Sequence, residues 1–251
     1  MEKEILKLVL DGEEYSISED KKNIIGPSKE YTLDEFREEK LKNIIMFAAL
    51  KEVVKDGTVL GFSDEDKLEK WLKEKDLYEE HKKNKEHLEK VLKKERSPEE
   101  WEKIKKSQVK QVEKATTRYN NFLKKHNLRP DQLKEIREKI EEEYDPFFPP
   151  KIHSLHLYDG FNYTGHNISL KGGYTYCGKG YPRYYSDLRT FDFNDKASSL
   201  ILDCRSKAYI YEHISYGGTR LWVDTNLNDL RWAWWWIGGF NNKISSAIVY
   251  G

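Results

Sequence analysis

Two hydrophobic patterns follow one another along the chain. Between Thr32 and residue 146, apolar residues recur three and four positions apart with Lys and Glu between them, as in helices that bury one side. From residue 153 onward, short apolar runs alternate with turns rich in Gly, Asn, Asp and Ser, which is typical of strands. The pattern predicts the α+β class, with a mainly α-helical N-terminal domain followed by an all-β domain.

Local signals place the elements of the first part. The alternation around Asp11-Gly12 predicts a short hairpin. Thr32 begins a capping box that opens a helical pattern. Ser97-Pro98 is a strong helix start, because it combines an N-cap with Pro at the first helical position. The other expected elements are a strand at 58–62 and about four helices, at 32–57, from 63 to about 92, at 97–125, and from 130 to before 146.

The composition changes between the two parts. Residues before 151 include 33 basic and 36 acidic side chains, whereas residues from 151 onward include 11 and 8, together with five of the seven tryptophans. Two prolines in the segment 147–152 would make it a semi-rigid spacer. We therefore expect a mainly helical domain at 1–146, a Pro-rich linker at 147–152 and an all-β domain at 153–251.

Charge and hydropathy exclude several classes of protein. The formal net charge is zero, which removes the electrostatic argument for a nucleic-acid partner. No apolar run approaches the ~18 residues of a transmembrane segment. The first residues lack the features of a secretory signal, which predicts a cytoplasmic protein, or a secreted one if a leader precedes this sequence. In a reducing compartment Cys177 and Cys204 are expected to be free thiols, and a disulfide between them stays an open alternative.

The first part offers no constellation of residues suited to catalysis. His81, His87 and His126 are scattered among lysines, so the sequence predicts solvated surface histidines rather than metal ligands. The chain has no Gly-rich phosphate loop and no nucleophile elbow. We therefore expect no enzymatic activity.

An internal repeat organises the second part. Residues 158–165 and 211–218 each read Tyr, four residues, Tyr, one residue, Gly, and they lie 53 positions apart. Residues 193–199 and 240–246 each read Phe-Asn-Asx-Lys-x-Ser-Ser and precede an apolar run. The order of the blocks is the same in both halves, 153–203 and 204–251. One half alone would bury little apolar surface, so the two are expected to pack sheet on sheet.

These blocks resemble the signature of βγ-crystallin domains. In that family a Tyr/Phe…Gly hairpin is followed by the motif (Asn/Asp)-(Asn/Asp)-x-x-(Ser/Thr)-Ser. Residues 194–199 and 241–246 each match this motif at every position. The resemblance covers residues 153–251, and it implies a double Greek-key sandwich of the microbial, bacterial calcium-binding type.

The resemblance also implies two Ca²⁺ ions between paired turns. Each ion would take the second-position Asx side chain of one turn, the third-position carbonyl and fifth-position hydroxyl of the other, and a hairpin carbonyl. Asp195 would be the only charged ligand, so an affinity of ~10⁻⁶ to 10⁻⁴ M is expected. Asn, Asp and Ser are also favoured in turns without an ion, which leaves a purely structural alternative. The predicted site residues are Asn194, Asp195, Lys196, Ser198, Asn241, Asn242, Lys243 and Ser245, with the carbonyls of Gly160 and His213, while Ser199 and Ser246 would brace the turns.

A tryptophan cluster precedes the second turn. Trp232, Trp234, Trp235 and Trp236 cannot all point inward from a strand, because alternate side chains face opposite ways. They would fill an interface or core, or form a contact patch for a protein, a carbohydrate or a membrane. The expected function is that of a non-enzymatic calcium-binding protein in which the ions stabilise the domain and order this loop. The alternative is an interaction protein similar to metalloprotease inhibitors or to membrane- or toxin-associated modules, with the tryptophans or the helical domain contacting the partner.

Overall fold

Strands from both parts of the chain combine into two sheets. We describe a computed structural model over residues 7–18, 23–51, 58–94, 96–132, 154–172, 182–203, 206–231 and 239–250. Within these residues, thirteen strands form one sheet of ten strands and one of three. The predicted linker at 147–152, the two cysteines and the four clustered tryptophans lie outside the described residues.

The first part contains more strand than its hydrophobic pattern predicts. The hairpin around Asp11-Gly12 is confirmed, with Asp11 at φ 52° and Gly12 at φ 92°. The strand at 58–62 is confirmed as well. The strands are β1 Lys7–Leu10, β2 Glu13–Ile17, β3 Asn23–Ile25, β4 Glu30–Thr32, β5 Met46–Ala49 and β6 Thr58–Phe62.

The helices follow their capping signals, but two predictions were wrong. The capping box of Thr32 begins a helix that ends at Leu41 rather than near residue 57, because the apolar run beyond it forms β5. The long helix predicted from residue 63 is two helices, the first capped by Asp64. The helix predicted from 130 to before 146 lies outside the described residues beyond Gln132. The helices are α1 Leu33–Phe36 with a π-helical turn Arg37–Leu41, α2 Glu65–Glu74, α3 Tyr78–Lys93, α4 Pro98–His126 and a 3₁₀ turn Pro130–Gln132.

The second part forms the predicted double Greek key. The first half contributes the three-stranded sheet, in the order β10-β7-β8, and the second half contributes β12-β11-β13. The halves interlock, because β9 of the first half pairs with β13 and Leu227 of the second half bridges to Leu200. The strands are β7 Ser154–Tyr158, β8 Asn167–Lys171, β9 Arg183–Tyr185, β10 Ser199–Asp203, β11 Lys207–Tyr211, β12 Arg220–Val223 and β13 Ser246–Tyr250.

The two parts of the chain share one sheet, so the expected separation into a helical and an all-β domain is not confirmed. Strand β5 pairs in parallel with β12, which gives the order β4-β3-β2-β1-β6-β5-β12-β11-β13-β9. The hydrophobic core between the sheets also runs through both parts, from Tyr15 and Phe36 to Leu221 and Phe240. A contiguous core joined by a backbone ladder is the mark of one cooperative unit.

Helices cover the outer faces of the sandwich. The outer face of the large sheet packs on α2 and α3 through a second core that includes Leu68, Leu72, Tyr209 and Trp222. Helix α4 lies along β8, the edge strand of the three-stranded sheet. Thr116 of α4 accepts a hydrogen bond from the Ser169 backbone N–H at 2.9 Å, which satisfies a group that an edge strand leaves open.

One histidine prediction was wrong. His81 is buried beneath α3 rather than solvated, and its Nδ1 lies 2.9 Å from the Tyr209 hydroxyl. Desolvation by burial, reinforced by the charge of Arg220, lowers the pKa of His81 from 6.5 to about 4. Among the described residues, no helix is both long enough and apolar enough to span a bilayer.

Candidate metal centre

Two hairpins with the same backbone conformation flank the candidate site. Each contains a short 3₁₀ turn, Phe161–Tyr163 in the first half and Ile214–Tyr216 in the second. The glycine that ends each repeated block has positive φ, 80° at Gly165 and 74° at Gly218. A Cβ at Gly165 would lie 2.0 Å from an Asp159 carboxylate oxygen, so this position requires glycine. The spacing Tyr…Tyr-x-Gly thus encodes a specific turn.

The two motif turns lie side by side and bond to each other through their backbones. Asp195 and Asn242, the second residues of their motifs, both have φ of 53°. Asx side chains tolerate this left-handed region better than most residues do. The Asp195 N–H donates to the Ile244 carbonyl at 3.0 Å, and the Asn242 N–H donates to the Ala197 carbonyl at 2.9 Å. These crossed bonds give the pair approximate two-fold symmetry.

Each second-position Asx lies beside the fifth-position serine of the opposite turn. The Ser245 hydroxyl donates to Asp195 Oδ1 at 3.0 Å. The Ser198 hydroxyl lies 3.5 Å from Asn242 Oδ1, at the outer limit of a hydrogen bond. The structure therefore brings the expected oxygens together as two groups, one closer than the other.

The final serine of each motif ties its turn to its own hairpin. Ser199 Oγ donates to the Gly160 carbonyl at 2.6 Å and accepts from the Tyr163 N–H at 3.0 Å. Ser246 makes the same pair of bonds, to the His213 carbonyl at 2.6 Å and from the Tyr216 N–H at 3.1 Å. These serines fix the two predicted hairpin carbonyls next to the motif turns.

The chemistry of this oxygen set fits a hard cation. Two oxygens 3.0 Å apart can both lie about 2.4 Å from one Ca²⁺ ion. The carbonyls of Gly160 and His213 each keep a second lone pair besides the one that the serine hydroxyl uses. The Lys196 and Lys243 carbonyls belong to the same two turns, and their ligation stays a prediction.

The first motif residues carry unsatisfied acceptors. Oδ1 of Asn194 and Oδ1 of Asn241 are both buried and have no hydrogen-bond partner in the part of the chain that the structure describes. Asn194 Nδ2 meanwhile donates to Asp195 Oδ2 at 2.5 Å. Buried acceptors are rarely left unpaired in native proteins. An unpaired acceptor at both equivalent positions is what two turns that together bind a further polar group would show.

The lysines of the two turns are held by acidic residues that the sequence analysis missed. The Lys196 ammonium lies 3.0 Å from an Asp192 carboxylate oxygen, and the Lys243 ammonium lies 3.5 Å from Glu212. Asp192 immediately precedes the first motif block, whereas Glu212 lies in the hairpin block 211–218, so neither showed in the sequence that it would contact a motif lysine. Asp195 is the single carboxylate among the predicted ligands, and the described residues contain no cluster of three His, Cys, Asp or Glu side chains.

Comparison with solved structures relates part of the chain to βγ-crystallin domains. The domain from Clostridium beijerinckii is 24% identical, with 39% of this chain and 97% of that chain covered at a TM-score of 0.29. The domain from Flavobacterium johnsoniae is 26% identical, with 39% and 93% covered at 0.27. The N-terminal domain of protein S is 20% identical, with 39% and 96% covered at 0.30. No family model and no curated protein matches the chain.

Proposed function

We propose that this protein is a non-enzymatic calcium-binding protein that holds two ions between the paired motif turns. The observation that carries the proposal is the reciprocal contact of each Asx side chain with the opposite serine, Asp195 with Ser245 and Asn242 with Ser198. If Asx and Ser served only to hydrogen-bond the backbone of their own turn, their side-chain oxygens would not be expected to contact the neighbouring turn.

Calcium would act here as a cross-link between the halves. Each ion would draw oxygens from both motif turns and from one hairpin, so binding would depend on the folded sandwich. A ligand that binds only the folded state raises the free energy of unfolding by RT ln(1 + [L]/Kd). At a calcium concentration of 100 Kd this amounts to about 2.7 kcal/mol for one site.

Calorimetric titration of the full chain with CaCl₂ tests the proposal. We expect two binding events in the micromolar to 100 µM range (~10⁻⁶ to 10⁻⁴ M). Asp195→Asn should weaken one event about tenfold and leave the other, because it removes a formal charge from one ion only. Asp192→Asn is the matched control, since it removes the same charge next to the turn from a residue that is not a predicted ligand.

Two results would contradict the proposal. One is a full-length chain, folded by circular dichroism, that shows no heat of binding at millimolar calcium. The other is a titration in which Asp195→Asn and Asp192→Asn have equal effects, which would mean that calcium responds only to the overall charge of the surface.

A further inference from the structure

A long groove lies beside the second hairpin, between helices α3 and α4. Its walls are the C-terminal half of α3, the first turns of α4, strand β9 with the turn that follows it, and the hairpin residues Ile214–Tyr216. We call it the α3–α4 groove. Its volume is about 1190 Å³ and it is open to solvent along one side. Small-molecule pockets are commonly about 300–1,000 Å³ and enclose their ligand, so an open groove of this size suits a segment of polypeptide better.

Exposed apolar side chains gather in this groove. Four large hydrophobic side chains are exposed among the described residues: Ile25, Leu92, Trp101 and Ile214. Three of them, Leu92, Trp101 and Ile214, line the α3–α4 groove, and they are 53%, 36% and 39% exposed. Single exposed apolar residues need no explanation, but a cluster in a concave surface marks an interaction site.

The floor of the groove is aromatic. The Tyr184 ring stacks on His87 with centroids 5.5 Å apart and an angle of 4°, and it meets Tyr216 edge-on at 6.1 Å. The Tyr184 hydroxyl is buried, and the described residues provide no hydrogen-bond partner for it. This hydroxyl therefore lies beneath the groove surface, and the aromatic rings are what the floor presents to a ligand.

The rim of the groove is basic. Its charged residues are five cations and two acids, Arg96, Lys103, Lys105, Arg183 and Arg189 against Glu102 and Asp187.

The two acids are already paired inside the rim. Asp187 is neutralised by Arg189, which donates to both of its oxygens at 2.9 and 2.7 Å, and Glu102 lies 3.7 Å from Lys105. Lys103 has no acidic partner within 4.0 Å among the described residues. The surplus of positive charge around an apolar floor is complementary to a segment that is both apolar and acidic.

We propose that the α3–α4 groove binds a peptide segment of a partner protein that combines large apolar side chains with Asp or Glu. The apolar side chains would cover Trp101 and Leu92 and pack on the ring of Tyr184. The acidic side chains would lie at the rim, near Lys103 and Arg96. Since Arg96 packs over the Trp101 ring at 4.9 Å, a carboxylate there would contact a cation that is already positioned.

Selection from a random twelve-residue peptide library displayed on phage, against the full-length chain, tests the proposal. The strongest enriched peptide is then synthesised with a fluorescein label, and its affinity is measured by fluorescence anisotropy. The variants are Trp101→Ser for the apolar floor and Lys103→Glu for the rim. Ile25→Ser is the matched control, because it removes another exposed apolar side chain from β3, outside the groove.

The expected peptides contain acidic residues together with aromatic or large aliphatic ones. Trp101→Ser should weaken binding about tenfold or more, as at interface hot spots, while Ile25→Ser should leave it unchanged. Lys103→Glu should weaken binding by several-fold, and added salt should reduce the difference.

Three results would overturn the proposal. The library would yield no enriched peptide, or peptides without acidic residues, or peptides whose affinity is unaffected by both groove variants. A parallel sedimentation assay with vesicles of phosphatidylserine separates peptides from membranes. Binding to these vesicles that Trp101→Ser abolishes, without any enriched peptide, would assign the groove to a lipid surface instead.

Discussion

The two Greek-key halves agree on their inner faces and differ on their outer ones. Positions 53 apart correspond, so His156 matches Tyr209 and Ser169 matches Trp222. In the first half the outer side chains are polar: His156 Nδ1 lies 2.8 Å from the Ser169 hydroxyl, and its ring stacks on Tyr119 of α4 at 3.7 Å. In the second half Tyr209 stacks on Trp222 at 5.6 Å inside the core with α2 and α3.

This difference shows which parts of the repeat serve the sandwich itself. The inner apolar residues and the motif turns are repeated because both halves meet each other in the same way. The outer faces are not repeated because each is fitted to a different helix. A polar outer face needs specific hydrogen bonds, whereas an aromatic one needs packed volume, so the two halves should respond differently to equivalent substitutions.

Truncation at the corresponding outer positions should have the largest and most unequal effect. Trp222→Ala should cost about 3–5 kcal/mol, because it leaves a cavity in a fully covered core. Ser169→Ala should cost about 1–3 kcal/mol, because it removes the hydroxyl that pairs with the buried Nδ1 of His156. Urea unfolding of both variants measures the difference. Equal losses would mean that the two outer faces are energetically alike.

The buried histidine of α3, His81, packs beneath the outer face of the second half and should make stability depend on pH. The folded His81 has a pKa of about 4 against 6.5 as its ordinary value, owing to burial and then to Arg220. The unfolded chain therefore takes up a proton first, and stability falls as the pH drops from 6.5 towards 4, by up to about 3 kcal/mol. Above pH 6.5 this group has no effect.

His81→Gln checks the assignment, because glutamine can retain a hydrogen bond to Tyr209 without titrating. The free energy of unfolding, measured at pH 7.5, 6 and 5, should fall less steeply in this variant than in the wild type. Identical slopes would show that other groups cause the loss of stability in acid.

The serines that end the two motifs should have similar effects, since their hydrogen bonds are repeated in both halves. Ser199→Ala and Ser246→Ala each remove a donor to a hairpin carbonyl and an acceptor from a backbone N–H. Each should cost about 1–3 kcal/mol in urea unfolding. A large cost at one position and none at the other would show that the two turns are alike in backbone conformation but not in the energy of their serine hydrogen bonds.

A carboxylate added to the second turn should reduce the difference in calcium affinity between the two turns, and this is the smallest of the expected effects. Asn242→Asp gives the second turn the carboxylate that Asp195 gives the first, so the weaker calcium event should tighten about tenfold and approach the stronger one. Calorimetry on Asn242→Asp and on the double variant with Asp195→Asn would reveal the exchange. If both events keep their wild-type affinities, the ligand assignment of position 242 is wrong.

Local signals in the sequence predicted much of this molecule. The Ser97 capping box, the Asp11-Gly12 hairpin and both motif turns depend on residues a few positions apart, and each was confirmed as a backbone conformation. The strand β5 could not be predicted in this way. Its short apolar run fits a helix or a strand equally well until a partner strand is known.

The burial of a side chain by residues far away in the sequence could not be predicted from local signals either. His81 lies among lysines in the sequence, and its buried position follows from contact with Tyr209, which is 128 positions away. The acids Asp192 and Glu212 near the turns gave no signal because salt bridges have no fixed sequence spacing.

The pairing of β5 with β12 has a consequence for how the chain acquires its structure. Met46 and Arg220 pair although they are 174 positions apart, so the central ladder of the large sheet closes only after most of the polypeptide has been synthesised. Until then β5 presents an open hydrogen-bonding edge to other nascent chains. Non-local pairing of this kind slows folding and favours aggregation of the intermediate. Refolding of this protein should therefore be slow and concentration-dependent in yield.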